Sequence, residues 1–170
     1  MALPLYESQT SSSAISELPA RLRSALILHA DAQKIHLVNS RTWLTHRKNP
    51  VAKGVIGKLL GRRSNSADPD AEHHMVLVLH ETHVLIGSYG AERGASILSL
   101  LKTSASVSRG TESGAALGEK MDLPSDDGLT IHGFPSVEGR LGSCFFGLGP
   151  GQHAEECVAL VLAALTPRPN

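Results

Sequence analysis

The sequence predicts an α+β domain in which antiparallel strands form a sheet or partly open barrel closed by a C-terminal helix. Three observations predict it. Between Ile35 and Leu148 the apolar runs are short, rich in β-branched residues and bounded by turn signals. Apolar residues at three- and four-residue spacing occur at the two ends of that stretch. The strand-like runs are joined by brief polar stretches rather than by helices, which favours reversed neighbours over a parallel sheet.

Residues 1–14 read as a disordered arm, because Thr10 to Ser13 is polar and aperiodic and chain ends are loose. A single domain is expected over 15–168. Its first helix is expected from Ser16 as N-cap, with Pro19 in the first turn. Leu18, Leu22, Ala25, Leu26 and His29 form the apolar face, and residues 31–33 end it. Strands are expected at 35–38 and 41–46, the second carrying Thr42, Trp43 and Thr45. Asn49-Pro50 marks a turn, 51–60 fits strand or helix, and 64–72, with Asp68-Pro69-Asp70, reads as a loop.

The runs 75–79 and 84–86 flank His80-Glu81-Thr82-His83 and predict a β-hairpin. Residues 97–101 fit a strand or a short helix. Weak strands interrupted by Gly110, Gly114 and Gly118 are expected within 104–123, and firmer ones at 128–133 and 140–148. Gly149-Pro150-Gly151 leads into a last helix whose apolar face is Ala154, Cys157, Val158, Val161, Leu162 and Leu165, stopped at Thr166-Pro167.

A chain of 170 residues buries roughly 70% of its unfolded surface, so the fold needs neither disulfide nor metal, and no cofactor is expected. Aromatic residues make up only 4% of the chain, so Leu, Val, Ile and Ala must build the core. Cys144 and Cys157, lacking a disulfide framework, imply free thiols in a reducing compartment. The sequence shows neither a signal peptide nor an apolar stretch long enough to span a membrane. A soluble cytoplasmic protein is expected.

Charge is balanced overall but unevenly placed. Seven basic residues (Arg41, Arg47, Lys48, Lys53, Lys58, Arg62 and Arg63) and no acidic one lie between 41 and 63. The chain has 16 Lys and Arg against 16 Asp and Glu, so nine cations face sixteen anions elsewhere, a net of minus seven. Such asymmetry points to an anionic ligand or acidic protein partner bound through the 41–63 segment. Nucleic-acid binding through the same segment is a second alternative, less favoured because stacking partners are expected among the charges and Trp43, the one aromatic there, reads as core.

No intact catalytic motif is present, and a non-enzymatic role is expected. His80-Glu81-Thr82-His83 places its histidines three apart in strand-like surroundings, whereas a zinc-protease helix needs them four apart. The alternative is a metal-dependent hydrolase built on His73, His74, His80 and His83, with His80 and His83 as candidate ligands. Phe146 to Gly151 resembles a dinucleotide-binding loop, but Gln152 replaces the third glycine and no following strand carries the ribose-binding acid. Gly54 to Lys58 lacks the Ser or Thr of a phosphate loop, since Leu59 follows the lysine. Cys144, beside Phe145 and Phe146, reads as a buried, inert thiol, and the pairs Asp126-Asp127 and Glu155-Glu156 read as solvent-facing.

Arg41-Thr-Trp-Leu-Thr-His46, the hairpin Val76 to Ile86, and Phe145-Phe-Gly-Leu-Gly followed by Ala154 to Leu165 together resemble the bacterial PH-like domains. The resemblance covers most of 16–166. It implies a PH-like antiparallel split barrel of about seven strands capped by the C-terminal helix, here with an extra N-terminal helix. It also implies an interaction module rather than an enzyme. Homo-oligomerisation fits such a module, whose sheet edges are exposed.

Overall fold

A computed structural model describes residues 5–51, 63–111, 126–135 and 139–165. It is α+β, with two antiparallel sheets and two helices. Strands β1 (Glu7–Ser12), β2 (Arg41–Lys48), β3 (Glu72–Leu79), β4 (His83–Gly90) and β5 (Gly94–Leu101) form the first sheet in chain order. The second contains β6 (Ser106–Thr111), β7 (Asp127–Pro135) and β8 (Leu141–Gly147). Helix α1 (Ala20–Ala32) lies between β1 and β2, and α2 (Gln152–Leu165) follows β8. None of the described helices is long and apolar enough to cross a membrane.

Alternation along the strands divides the core in two. Trp43, Met75, Leu77, Val84 and Ile86 project from one face of the first sheet onto Leu129, Ile131 and Phe146 of the second. Ala154, Cys157, Val158, Val161 and Leu165 of α2 complete that core. On the opposite face, Val76, Val78 and Leu85 receive Leu22, Leu26 and Ala30 of α1. The central strands are therefore covered on both sides. This is why Met75 to Leu79 is a continuous apolar run rather than an alternating one.

The hairpin expected around residues 80–83 is present: Leu79 pairs with Val84, and His80 N–H donates to the His83 carbonyl at 2.9 Å. The last helix also begins where the glycines and proline end. Residues 97–101 resolve as strand, within β5. In the second sheet Gly133, at φ 114°, shifts the register between His132 and Phe134. A side chain there would meet the Ser104 carbonyl, so both backbone angle and space demand glycine.

Three expectations need correction. Residues 7–12 are not a loose arm but the edge strand β1, paired from Glu7↔Lys48 to Ser12↔Trp43. What holds them is burial, since Tyr6 and Thr10 are tucked beneath the sheet. The first helix starts at Ala20 with Pro19 as its cap, because Ile15–Glu17 forms a separate 3-10 turn. Residues 35–38 are not a strand. Lys34 N–H donates to Asp31 O and Ile35 N–H to Ala30 O, a Schellman closure of α1 that spends their backbone groups and buries Ile35 with the helix.

That closure puts Lys34 at φ 58°, where a Cβ costs energy that glycine avoids. Lys34→Gly is expected to stabilise the protein by about 0.5–1 kcal/mol, read as a higher urea midpoint at unchanged slope.

Candidate functional site

The alternation that fills the core also carries polar residues inward at one end of the first sheet. Trp43 and Thr45 face the core, so Arg47, two further on, does too; Met75 and Leu77 likewise bring His73 with them. Arg47 and His73 are directly opposite in register. Ser8 pairs with Arg47 and Thr10 with Thr45, so the same parity turns Tyr6 into the cluster.

Arg47 is 2% exposed. Its guanidinium pairs with Asp126, the residue before β7, and thereby ties the first sheet to the second. It lies 4.0 Å from the centre of the Tyr6 ring and 3.7 Å from Met75 Sδ. A Cβ at Gly147 would stand 2.7 Å from the guanidinium and would force one of the two to shift. The Tyr6 backbone N–H reinforces the tie by donating to Asp126 Oδ1 at 3.1 Å.

A second half adjoins the first. The Tyr6 hydroxyl donates to Asp68 Oδ2 at 2.5 Å and accepts from Asn65 Nδ2 at 2.8 Å. Arg93, in the β4–β5 turn, bridges Asp68 and Asp70, donating to Asp70 Oδ2 through Nε at 2.7 Å. His73 packs edge-on to Tyr6 with ring centres 5.2 Å apart. Its Nδ1 is 3.3 Å from Asp68 Oδ2 but finds no hydrogen-bond partner among the described residues.

Burial would raise the Asp68 carboxyl, but the Tyr6 hydroxyl, the Asp70 N–H and Arg93 together hold it below the usual range. Asp70 is likewise raised by burial and lowered further by the Glu92 N–H and Arg93. Burial first, then the Asp68 bond, keeps Tyr6 protonated. His73 is pushed down to about 4 by burial and by the nearby charges of Arg93 and Arg47, against Asp68 and Asp70. The arrangement is thus two arginines, three carboxylates and a neutral histidine, largely satisfied by one another. Two open hollows flank it: one of about 580 Å³ beside Tyr6, Asp126 and Gly149, the other of about 330 Å³ beside Asn65, Asp68 and Arg93.

The basic segment is dispersed. Arg47 is internal, which corrects its assignment to an anion-binding surface. Arg41 is exposed but bonded to Glu156 of α2 at 3.0 Å. Lys48 and Arg63 face solvent, while Lys53, Lys58 and Arg62 lie outside the described residues. The two legs of the connection are tightly held. Asn49 Nδ2 donates to the Asn65 carbonyl at 2.8 Å and Asn49 Oδ1 accepts the Asn65 N–H at 3.0 Å. Ser64 N–H donates to the Pro50 carbonyl at 2.8 Å, and Val51 pairs with Arg63.

The four histidines do not converge. His73 and His80 sit at opposite ends of β3, roughly 23 Å apart at about 3.3 Å per residue. His73 and His74 point to opposite faces, and His74 stacks on His46 at 4.6 Å. His80 and His83 have ring centres 6.1 Å apart, and both Nδ1 atoms meet the Thr82 hydroxyl. Among the described residues no group of three or more His, Cys, Asp or Glu side chains is placed to hold a metal.

Asp126 is 3% exposed, which corrects its reading as a surface residue: a buried cation needs a buried counterion. Its neighbour Asp127 does face solvent, where Arg109 joins it to Glu155. Cys157 is buried in the core, with its thiol pushed up to about 12 by burial and by Glu156. Cys144 is half-buried and also raised by burial. A usable signal for the network lay in the parity that sets Arg47 and His73 on the Trp43 and Met75 face. Nothing local marked Asp126 as their partner. Scanned against protein-family models, curated proteins and solved structures, the chain finds no match.

Asp126→Asn removes a buried counter-charge of Arg47 and is expected to cost about 3–5 kcal/mol in urea denaturation. Arg47→Met combined with Asp126→Asn is expected to recover part of that loss. Because the His73 pKa is lower folded than unfolded, the unfolded chain binds the extra proton between about pH 6.5 and 4. Stability is therefore full above that window and falls through it. At pH 4.5 the loss from His73 is expected to be about 2–3 kcal/mol, and His73→Gln is expected to remove that part of the slope.

Proposed function

We propose that the chain is a non-catalytic binding module of PH-like, split-barrel type, working in the cytoplasm and recognising an anionic surface through the β2–β3 connection. The observation that carries this is the pinned base of that connection. Asn49 and Asn65 lock its legs together, Asn65 is bonded onward to Tyr6, and Val51 pairs with Arg63. The chain thus leaves and re-enters the sheet at one place. With Arg47 internal and Arg41 engaged by Glu156, five cations remain for a partner: Lys48, Lys53, Lys58, Arg62 and Arg63, with no acid among residues 48–63.

A binding segment on a rigid base is how loops are ordinarily used for recognition. The two-sheet core capped by α2 supplies the base, with Trp43, Leu77, Leu129 and Phe146 packed inside it. The intervening sequence Val51-Ala-Lys-Gly-Val-Ile-Gly-Lys-Leu-Leu60 mixes cations with aliphatic residues. That mixture suits a lipid headgroup region, where basic charge and apolar contact add. Nucleic-acid recognition loses support because Trp43 is 1% exposed and unavailable for stacking.

Vesicles containing phosphatidylglycerol are expected to sediment the protein, neutral phosphatidylcholine vesicles are not, and added salt should release it. Reversing two charges, Lys53→Glu with Lys58→Glu, is expected to weaken binding at least about 25-fold, at about 1 kcal/mol per cation. Equal binding to neutral vesicles, or no effect of the reversal, would overturn the proposal.

A further inference from the structure

We propose that β5 is the seam of a twofold homodimer, in which two copies of the first sheet join edge to edge into one continuous antiparallel sheet. It involves neither the basic connection nor the buried ion-pair network, so it stands or falls apart from both.

Strand β5 is the outer strand of the five-stranded sheet. Its partner is β4, and among the described residues its backbone makes no hydrogen bond beyond that ladder. Natural edge strands are blunted by charge, proline, brevity or a covering element. Gly94-Ala-Ser-Ile-Leu-Ser-Leu-Leu101 spans eight residues and has neither charge nor proline. It also leaves Leu98 44% and Leu101 48% exposed. The remaining edges differ. Strand β1 carries Glu7, and β6 carries Arg109, which is bound to Asp127 and Glu155.

Symmetry selects the register. In antiparallel pairing, directly opposite residues share a face of the sheet, and faces alternate along each strand. A twofold axis normal to the sheet must therefore pass through a residue position, not between two. With the axis at Leu98, that leucine meets Leu98 of the second copy, and Leu101 meets Ala95. Ile97 then lies opposite Ser99, and Lys102 of one copy lies opposite Gly94 of the other. Both exposed leucines are covered. Centring on Ile97 would instead set Leu98 against Ser96 and Leu101 against Arg93. Strand β8 is also uncharged, but centred on Cys144 it sets its exposed Leu141 against Gly147, which is buried beneath Arg47.

The test is size-exclusion chromatography with light scattering, together with oxidative cross-linking in a Cys144→Ser background. The native chain is expected to run as a dimer, Leu98→Lys as a folded monomer, and Leu141→Lys as a dimer. Cα atoms in an antiparallel pair are about 4.5–5.5 Å apart, within disulfide range. Leu98→Cys is therefore expected to yield a covalent dimer, and Ser96→Cys, offset from its own copy, is not. A monomeric native protein, a dimer that survives Leu98→Lys, or cross-linking at Ser96 in place of Leu98 would overturn the proposal.

Discussion

A buried guanidinium has to be matched by charge and hydrogen bonding, because its desolvation costs several kcal/mol. Arg47 sets this requirement at the junction of the two sheets. Asp126 answers its charge, the Tyr6 ring covers its face, and Gly147 yields the room its head group occupies. Each comes from a different part of the chain: before β1, before β7 and at the end of β8. The demand of one side chain therefore fixes how the second sheet is set against the first.

The adjoining Asp68, Asp70, Arg93 and His73 extend the same logic to the loops. Arg93 fastens the β4–β5 turn to the segment leading into β3. Asn65, held by Asn49, passes the restraint on to Tyr6. A network of this kind discriminates more than it stabilises, since charges that fit only one arrangement penalise the alternatives. It explains how a segment rich in glycine and cations can depart from a well-defined point on the surface.

Much of the architecture was legible because periodicity records burial. The apolar run before His80 and the amphipathic stretch after Gln152 announced a hairpin and a capping helix. The antiparallel character followed from the short connections. Residues 7–12 were missed because an edge strand of Ser, Thr and Gln, held by Thr10 and Tyr6, lacks an apolar stripe. Residues 35–38 misled because Ile35 and Val38 have strand propensity, whereas the helix closure had already used the backbone of Lys34 and Ile35. The ionic network was half-visible. Two-residue alternation placed Arg47 and His73 inward, but Asp126 lies far along the chain and beside an acid that does face water, so nothing near it told the two apart.

Tyr6 and Asp126 are 120 residues apart in sequence, yet one donates its backbone N–H to the other. Contacts of such separation are slow to form, because a long loop must close before they repay its entropy. On the ribosome, β1 to β5 emerge well before the acid that neutralises Arg47. The tie between the two sheets therefore rests on contacts that close a loop of 120 residues.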